Sequence, residues 1–153
     1  MSPCHGSVSL SLKNMIMNLE LSSLNWLAIG TCLLFAQAFL SIWFIVLFGT
    51  PWAKEYGVQD RKQHTNEIPG YAYGIQALCT LLLIIGMAIM QTVIGIETFK
   101  GGILFGLYVA IFYSLATALP GYAFLRRMNA FLMAMGSQTI LILVVSTILA
   151  IWK

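Results

Sequence analysis

Four stretches of the chain, residues 24–48, 70–96, 101–125 and 128–152, contain no Asp, Glu, Lys, Arg or His. A helix rises about 1.5 Å per residue, so about 20 apolar residues are enough to cross the hydrocarbon core of a bilayer. All four stretches exceed that length, and a helix satisfies its backbone hydrogen bonds without water. The sequence therefore predicts a membrane protein with four transmembrane helices.

The composition agrees with a single membrane domain. Charged residues make up 8 % of the chain and the mean hydropathy is +0.87, whereas soluble domains are about 25 % charged. The four spans leave only a tail at 1–23, a loop at 49–69 and two short turns. Because short turns make consecutive helices antiparallel neighbours, we predict an all-α fold over 24–153, an integral membrane four-helix bundle with antiparallel up-down spans.

The tail at 1–23 is expected to be flexible and to contribute nothing to the bundle. It lacks the charged start, apolar run and small-residue cleavage site of a secretory signal, so the first span is expected to be retained. Met15 and Met17 are alternatives to Met1 as the start of translation.

The basic residues predict the orientation, because short cytoplasmic loops are enriched in Lys and Arg. Five of them fall in the loops after the first and third spans and three on the other side. The first group is Lys54, Arg61, Lys62, Arg126 and Arg127, and the second is Lys13, Lys100 and Lys153. We therefore expect the loops after the first and third spans to face the cytoplasm, with both termini outside. Nucleic acid is not an expected partner, because the basic residues are scattered over the loops.

The third span carries a small-xxx-small stripe. Small residues recur at every fourth position, namely Gly102, Gly106, Ala110, Ser114 and Ala118. Such stripes let helix backbones approach closely in lipid. The third span is therefore the expected centre of packing, either against another span or against a second copy in a homo-oligomer. Pro120, near its end, is expected to kink it.

Uncharged polar side chains in the spans are the candidate ligand-binding residues. Gln37, Tyr113, Ser114 and Gln138 fall near the middle of the bilayer, where they could line one cavity. The competing interpretation, which we favour, is that the glutamines join helices by hydrogen bonds worth about 0.6–2 kcal/mol each. The same structural interpretation applies to a set in the second span, Gln76, Thr80, Gln91 and Thr92.

The absence of ionisable residues from the spans limits the possible activities. Proton- or cation-coupled carriers need an ionisable group in the membrane, and both histidines, His5 and His64, fall outside the spans. No catalytic residue, metal site or cofactor is predicted. In the first loop, residues 50–57 have a Thr cap, an early Pro and a final Gly, which predicts a short interfacial helix. Residues 58–69 are expected to be a solvated connector, and the aromatic residues at the span ends to be membrane anchors.

Several segments resemble a known family. These are NWLAI at 25–29, Trp43, FGTPW at 48–52, and a last helix that starts near Asn129 and ends in Ile151 and Trp152. They are similar to a family of bacterial membrane proteins catalogued as domain of unknown function 1761. The resemblance covers roughly 24–153 and implies a small four-helix bacterial membrane protein, for which the inner membrane is the expected location. It implies no activity and no site residue.

Three functions remain open at this point. The first is an oligomeric bundle that binds or transports a neutral or lipophilic small molecule, with Gln37, Tyr113, Ser114 and Gln138 as the residues to test. The second is an accessory subunit that docks through the stripe of the third span. The third is an enzyme, a membrane transferase in which Tyr122, Arg126 and Arg127 would hold an anionic co-substrate. It is disfavoured, because the positive-inside rule already explains the two arginines.

Overall fold

A computed structural model describes residues 24–152, and the expected flexible tail at 1–23 lies outside the described residues. Within this range the chain forms six helices connected by short turns. They are α1 (Trp26–Leu47), α2 (Gly49–Glu55), α3 (Arg61–Glu67), α4 (Gly70–Ile94), α5 (Phe99–Phe124) and α6 (Met128–Ile151). Two of the long helices contain π-helical segments, Ile42–Leu47 at the end of α1 and Val109–Leu115 in the middle of α5.

The four long helices, α1, α4, α5 and α6, are each long and apolar enough to cross a membrane. They agree with the predicted spans to within two residues at either end. The protein is thus an all-α membrane protein, and the prediction of the fold class is confirmed.

Polar caps and glycine set the boundaries of these helices. The Asn25 side chain accepts a hydrogen bond from the N–H of Ala28 at 3.0 Å, and the Thr98 hydroxyl accepts one from Gly101 at 3.1 Å. Both satisfy N–H groups that the first turn of a helix leaves without partners. Helix α4 ends at Gly95, whose φ of 76° is left-handed and suits glycine.

Helix α6 is the central packing element, and the expectation that the third span is central is wrong. Helix α6 packs against α1, α4 and α5, and its buried residues run along its whole length, from Ala130 to Ala150. Helix α5 packs mainly on α6. A Cβ at Gly102 would lie 2.9 Å from the Thr147 Cα, and one at Gly106 would lie 3.2 Å from the Leu143 Cα. The glycines are needed because the two backbones are this close.

A buried polar cluster joins three helices beside this contact. The Nε2 of Gln91 donates to the main-chain oxygen of Ser146 at 2.9 Å and to its hydroxyl at 2.8 Å. The Ser146 hydroxyl in turn donates to the oxygen of Gly102 at 2.6 Å. Gln91 and Ser146 are both 0 % exposed. Helices α4, α5 and α6 are therefore held together by hydrogen bonds as well as by close packing.

The two ends of the bundle differ in how tightly they are packed. The buried residues of α4 all lie between Thr80 and Gln91, and those of α5 between Gly102 and Ala110. The first ten residues of α4 and the last part of α5 contribute none. The end of the bundle that holds α2 and α3 is therefore the loosely packed end.

Helix α5 departs from α-helical hydrogen bonding before Pro120. The helix continues through Pro120, and the π segment Val109–Leu115 precedes the proline. The kink expected at Pro120 stays a prediction. The Thr117 hydroxyl donates to the oxygens of Tyr113 and Ser114, at 2.7 and 3.2 Å. These bonds satisfy main-chain oxygens where the helix returns from π to α pairing, as a helix in lipid requires.

Candidate ligand cavity

A cavity of about 450 Å³ lies at the loosely packed end of the bundle. Its wall is formed by the second half of α1, the first part of α4 and the first part of α6, and α2 and α3 cover its end. Ile45 of α1 and Tyr73 of α4 line it and are 39 % and 48 % exposed. The lining of the cavity thus includes residues that reach the protein surface.

Gln37 is the most distinctive group on the α1 wall. Its side chain lies on the cavity, and its Nε2 is buried without a hydrogen-bond partner among the described residues. Ser41 and Phe44 extend the same wall toward α2. A buried amide group without a partner costs about 1–3 kcal/mol, and the Oε1 of Gln91, which is not part of the cavity lining, is buried in the same way.

Helix α6 supplies a second amide on the opposite wall. Gln138 and Ser137 both line the cavity. Ser137 is buried and its hydroxyl donates to the oxygen of Ala134 at 2.8 Å. Helices α1 and α6 are fixed to each other here, because Trp43 Nε1 donates to the oxygen of Met133 at 3.1 Å. The two glutamine walls are thus held by a direct interhelical contact.

Aromatic side chains cover the end of the cavity. Their ring centroids form a continuous series, 4.7 Å from Phe44 to Trp52, 5.3 Å from Trp52 to Tyr56 and 5.4 Å from Tyr56 to His64. Asn129 Nδ2 donates to the carboxylate of Glu55 at 3.2 Å, which ties α2 to the start of α6. Helices α2 and α3 are therefore docked on the bundle and form part of the site.

Arg61 is the charged residue on the cavity. Its Nη1 donates to the main-chain oxygen of Ile45 at 2.9 Å, in the π segment of α1. Its aliphatic stem passes over Gly49, where a Cβ would overlap the Arg61 Cδ. Among the described residues, no Asp or Glu lines the cavity. The site consequently combines hydrogen-bond donors, aromatic rings and one cation.

The structure corrects two expectations about the first loop. The short interfacial helix is present as α2, but it begins at Gly49 after Phe48 and has no side-chain cap, so the proposed capping role of Thr50 is wrong. The segment 58–69 is not merely a solvated connector. Asp60 caps α3 by accepting a hydrogen bond from Lys62 at 3.1 Å, and that helix places Arg61, His64 and Thr65 on the cavity.

The four predicted ligand residues separate into two pairs. Gln37 and Gln138 lie on the cavity, whereas Tyr113 and Ser114 are not part of its described lining. Tyr113 is 67 % exposed on the surface of α5. Their positions in the sequence had suggested that all four residues lie at the same depth in the bilayer. In the structure, the rotation of α5 directs Tyr113 and Ser114 away from the walls formed by α1 and α6.

The small-residue stripe is divided in the same way. Gly102, Gly106 and Ala110 are buried, and the two glycines contact α6 of the same chain. Ser114 and Ala118, beyond them, are partly exposed. A homo-oligomer through α5 stays a prediction, and only this second part of the stripe is accessible to a second copy.

The other polar residues of the second span also have different roles. Gln91 joins helices, as the structural interpretation predicted. Gln76 instead bonds Thr80 within α4, at 3.1 Å, and Thr92 bonds the oxygen of Ala88 at 2.9 Å. Gln76 also lines the cavity.

Several cavity residues were missed in the sequence. Trp52, Tyr56 and Tyr73 were interpreted only as membrane anchors, and Tyr122 also as a residue of the disfavoured transferase, yet all four line the cavity. The sequence did contain a signal for a helix with one face toward the site. Asp60 is a helix-capping residue type, and Arg61 and His64, which follow it three residues apart, share one face of such a helix. Of the residues considered for a transferase, Tyr122 lines the cavity and the Arg127 guanidinium lies 5.1 Å from the centre of the Tyr56 ring.

The fold and the cavity together define a small four-span helical membrane protein with an internal site at one end. The model of a protein family of unknown function, DUF1761, matches residues 27–150. The chain belongs to this family, which confirms the resemblance seen in the sequence. No curated protein and no solved structure matches the chain.

Proposed function

We propose that this protein binds a lipophilic small molecule in the cavity between α1, α4 and α6. The observation that carries the proposal is that two amide side chains from different membrane-spanning helices, Gln37 of α1 and Gln138 of α6, line one cavity. Withdrawing an amide from water is costly unless it is hydrogen-bonded. A ligand with a polar group would supply such a bond to the parts of these amides that face the cavity.

The size and lining of the cavity support the same proposal. Ligand sites commonly measure about 300–1,000 Å³ and combine apolar or aromatic walls with a few polar groups. The cavity of about 450 Å³ is within this range. It carries Phe44, Trp52 and Tyr73 for an apolar body, and Gln37 and Gln138 for polar groups.

The exposed lining residues of α1 and α4 suggest how a ligand enters. Ile45 and Tyr73 are 39 % and 48 % exposed on helices long and apolar enough to cross a membrane, so a lipophilic molecule would enter sideways from the lipid. In the orientation proposed from the basic residues, the cavity lies in the cytoplasmic half of the inner membrane. Transport would need a second opening toward the other end, where Ile84, Gln91 and Leu149 are tightly packed.

Native mass spectrometry of the full chain in mild non-ionic detergent tests the proposal. We expect the wild type to retain a reproducible non-detergent mass, close to one per chain, and Gln37→Leu to reduce the retained fraction at least tenfold. Tyr113→Phe is the matched control, because it alters a polar residue of similar depth that is 67 % exposed on α5. Equal retention by the wild type and Gln37→Leu would contradict the proposal, as would a wild type that carries nothing.

A further inference from the structure

We infer that the ligand of this cavity is an anionic amphiphile whose carboxylate or phosphate group binds Arg61. This inference rests on the proposed function, since it specifies the chemistry of the molecule that would occupy the same cavity. It is carried by three features of the described residues: the position of Arg61, the engagement of the nearby acids elsewhere, and the length of the α1 wall.

The Arg61 guanidinium is held in place and retains donors for a ligand. Nη1 donates to the oxygen of Ile45 at 2.9 Å, and the aliphatic stem lies against Gly49, where no Cβ obstructs it. A guanidinium has five N–H donors in a planar fork, so one bond to a main-chain oxygen leaves most of them available. Such a fork matches a carboxylate or phosphate group in geometry.

The acidic side chains near the cavity are used elsewhere. Asp60 accepts from the N–H of Lys62 at 3.1 Å, Glu55 from Asn129 at 3.2 Å and Glu67 from Gln63 at 2.9 Å. No carboxylate in residues 24–152 lines the cavity with Arg61. A cation partly withdrawn from water at a membrane surface is stabilised by an anion, and here a bound ligand would supply it.

The α1 wall sets a length for the ligand. Gln37 and Ile45 are eight residues apart on α1, which places them about 12 Å apart along the helix axis at 1.5 Å per residue. Arg61 is bonded at the Ile45 end, and Gln37 lines the other end of this wall. Phe44 and Trp52 supply apolar wall. The site therefore suits an apolar chain with an anionic group at one end.

A comparison of two ligands that carry the same alkyl chain separates this inference from the proposed function. Dodecanoic acid and dodecan-1-ol are each titrated into the full chain in non-ionic detergent, and the bound fraction is read by native mass spectrometry. We expect the acid to bind at least tenfold more tightly than the alcohol. Dodecyl phosphate in place of the acid shows whether the head group is a carboxylate or a phosphate, and tight binding of either supports the inference.

Variants at Arg61 identify the group that recognises the anion. Arg61→Gln is expected to reduce binding of the acid to that of the alcohol and to leave the alcohol unchanged, whereas Arg61→Lys keeps a preference for the acid. Lys62→Gln is the matched control, because it removes the same charge from an exposed position of the same helix. If Arg61→Gln fails to fold, the preference of the wild type and of Arg61→Lys still decides the question.

The outcomes that overturn the inference are distinct from those that overturn the proposed function. Equal binding of acid and alcohol by the wild type, with both lost in Gln37→Leu, would refute the anionic ligand and leave a lipophilic one. If inorganic phosphate competed as strongly as dodecanoic acid, an amphiphilic ligand would be refuted, because the alkyl chain of the ligand would then contribute nothing to binding. Failure of the acid and of dodecyl phosphate to bind would refute the inference, whereas a reproducible mass retained by the wild type would still support the proposed function.

Discussion

The Nη1 of Arg61 lies 2.9 Å from the main-chain oxygen of Ile45, to which it donates a hydrogen bond. This contact joins α3 to the π segment at the end of α1 and so fixes the cover of the cavity to its wall. A long basic side chain in a loop normally extends into water. Here it reaches back to the bundle because Gly49, without a Cβ, leaves room for its stem.

Gly49→Ala is expected to displace Arg61 and loosen α3. A Cβ at position 49 would overlap the Arg61 Cδ and lie 3.3 Å from the oxygen of Phe44. We expect a loss of about 1–3 kcal/mol, typical of overpacking, measured by thermal unfolding in mild detergent. Gly74→Ala is the control, since a Cβ there has no atom within 4 Å. Equal melting temperatures for the two variants would contradict this packing role of Gly49.

Gln37→Leu and Gln91→Leu are expected to have opposite effects on stability. Gln91 makes two hydrogen bonds to Ser146, so its loss should cost about 1–2 kcal/mol. The Nε2 of Gln37 has no partner among the described residues, so its replacement should be neutral or stabilising by up to about 1 kcal/mol in ligand-free protein. Unfolding curves of both variants, recorded after delipidation, test this pair. A larger loss for Gln37→Leu would make Gln37 structural.

Gly106→Ala is expected to push α5 away from α6. A Cβ at this position would lie 3.0 Å from the Ser146 Cβ and 3.2 Å from the Leu143 Cα. We expect a loss of about 1–3 kcal/mol, and Gly106→Leu should prevent recovery of monodisperse protein by gel filtration. Gly86→Ala serves as the control, because a Cβ there meets no atom within 4 Å and alanine favours the helix. Wild-type behaviour of Gly106→Leu would exclude this packing.

The orientation predicted from the basic residues is testable with single cysteines. In a background without Cys4, Cys32 and Cys79, we expect Glu97→Cys to react with a membrane-impermeant maleimide in intact bacterial cells. Lys62→Cys should react only after permeabilisation, because the loop that carries α3 is predicted to be cytoplasmic. The reverse labelling pattern would invert the topology and place the cavity in the outer half of the membrane.

The sequence predicted the small-residue positions of α5 but not all that they contact. The fourfold spacing of Gly102, Gly106 and Ala110 indicated a close helix contact, and the structure places the two glycines against α6. The spacing carried no information on the partner, because any helix can approach such a stripe. The same limit made the third span the expected centre, whereas α6 contacts α1, α4 and α5.

The candidate site was predicted in part. Gln37 and Gln138 were selected because polar residues in lipid need partners, and they line the cavity, whereas Tyr113 faces outward. Arg61 and His64 were missed because a mixed-charge loop resembles a solvated connector. Their position on the cavity follows from the Asp60 cap and from the bond to Ile45, and the latter joins residues on different helices.

The four membrane spans were determined by the sequence itself, because transfer of a helix into lipid depends on the hydropathy of consecutive residues, a local property. Only the tertiary structure decided which end of the bundle is packed, which glutamine is paired, and that α2 and α3 cover a cavity. These features depend on how each helix is rotated and placed against its neighbours. Gln91 and Gln37 are the same residue type in similar helices, and the Nε2 of Gln91 bonds Ser146 while the Nε2 of Gln37 has no partner among the described residues.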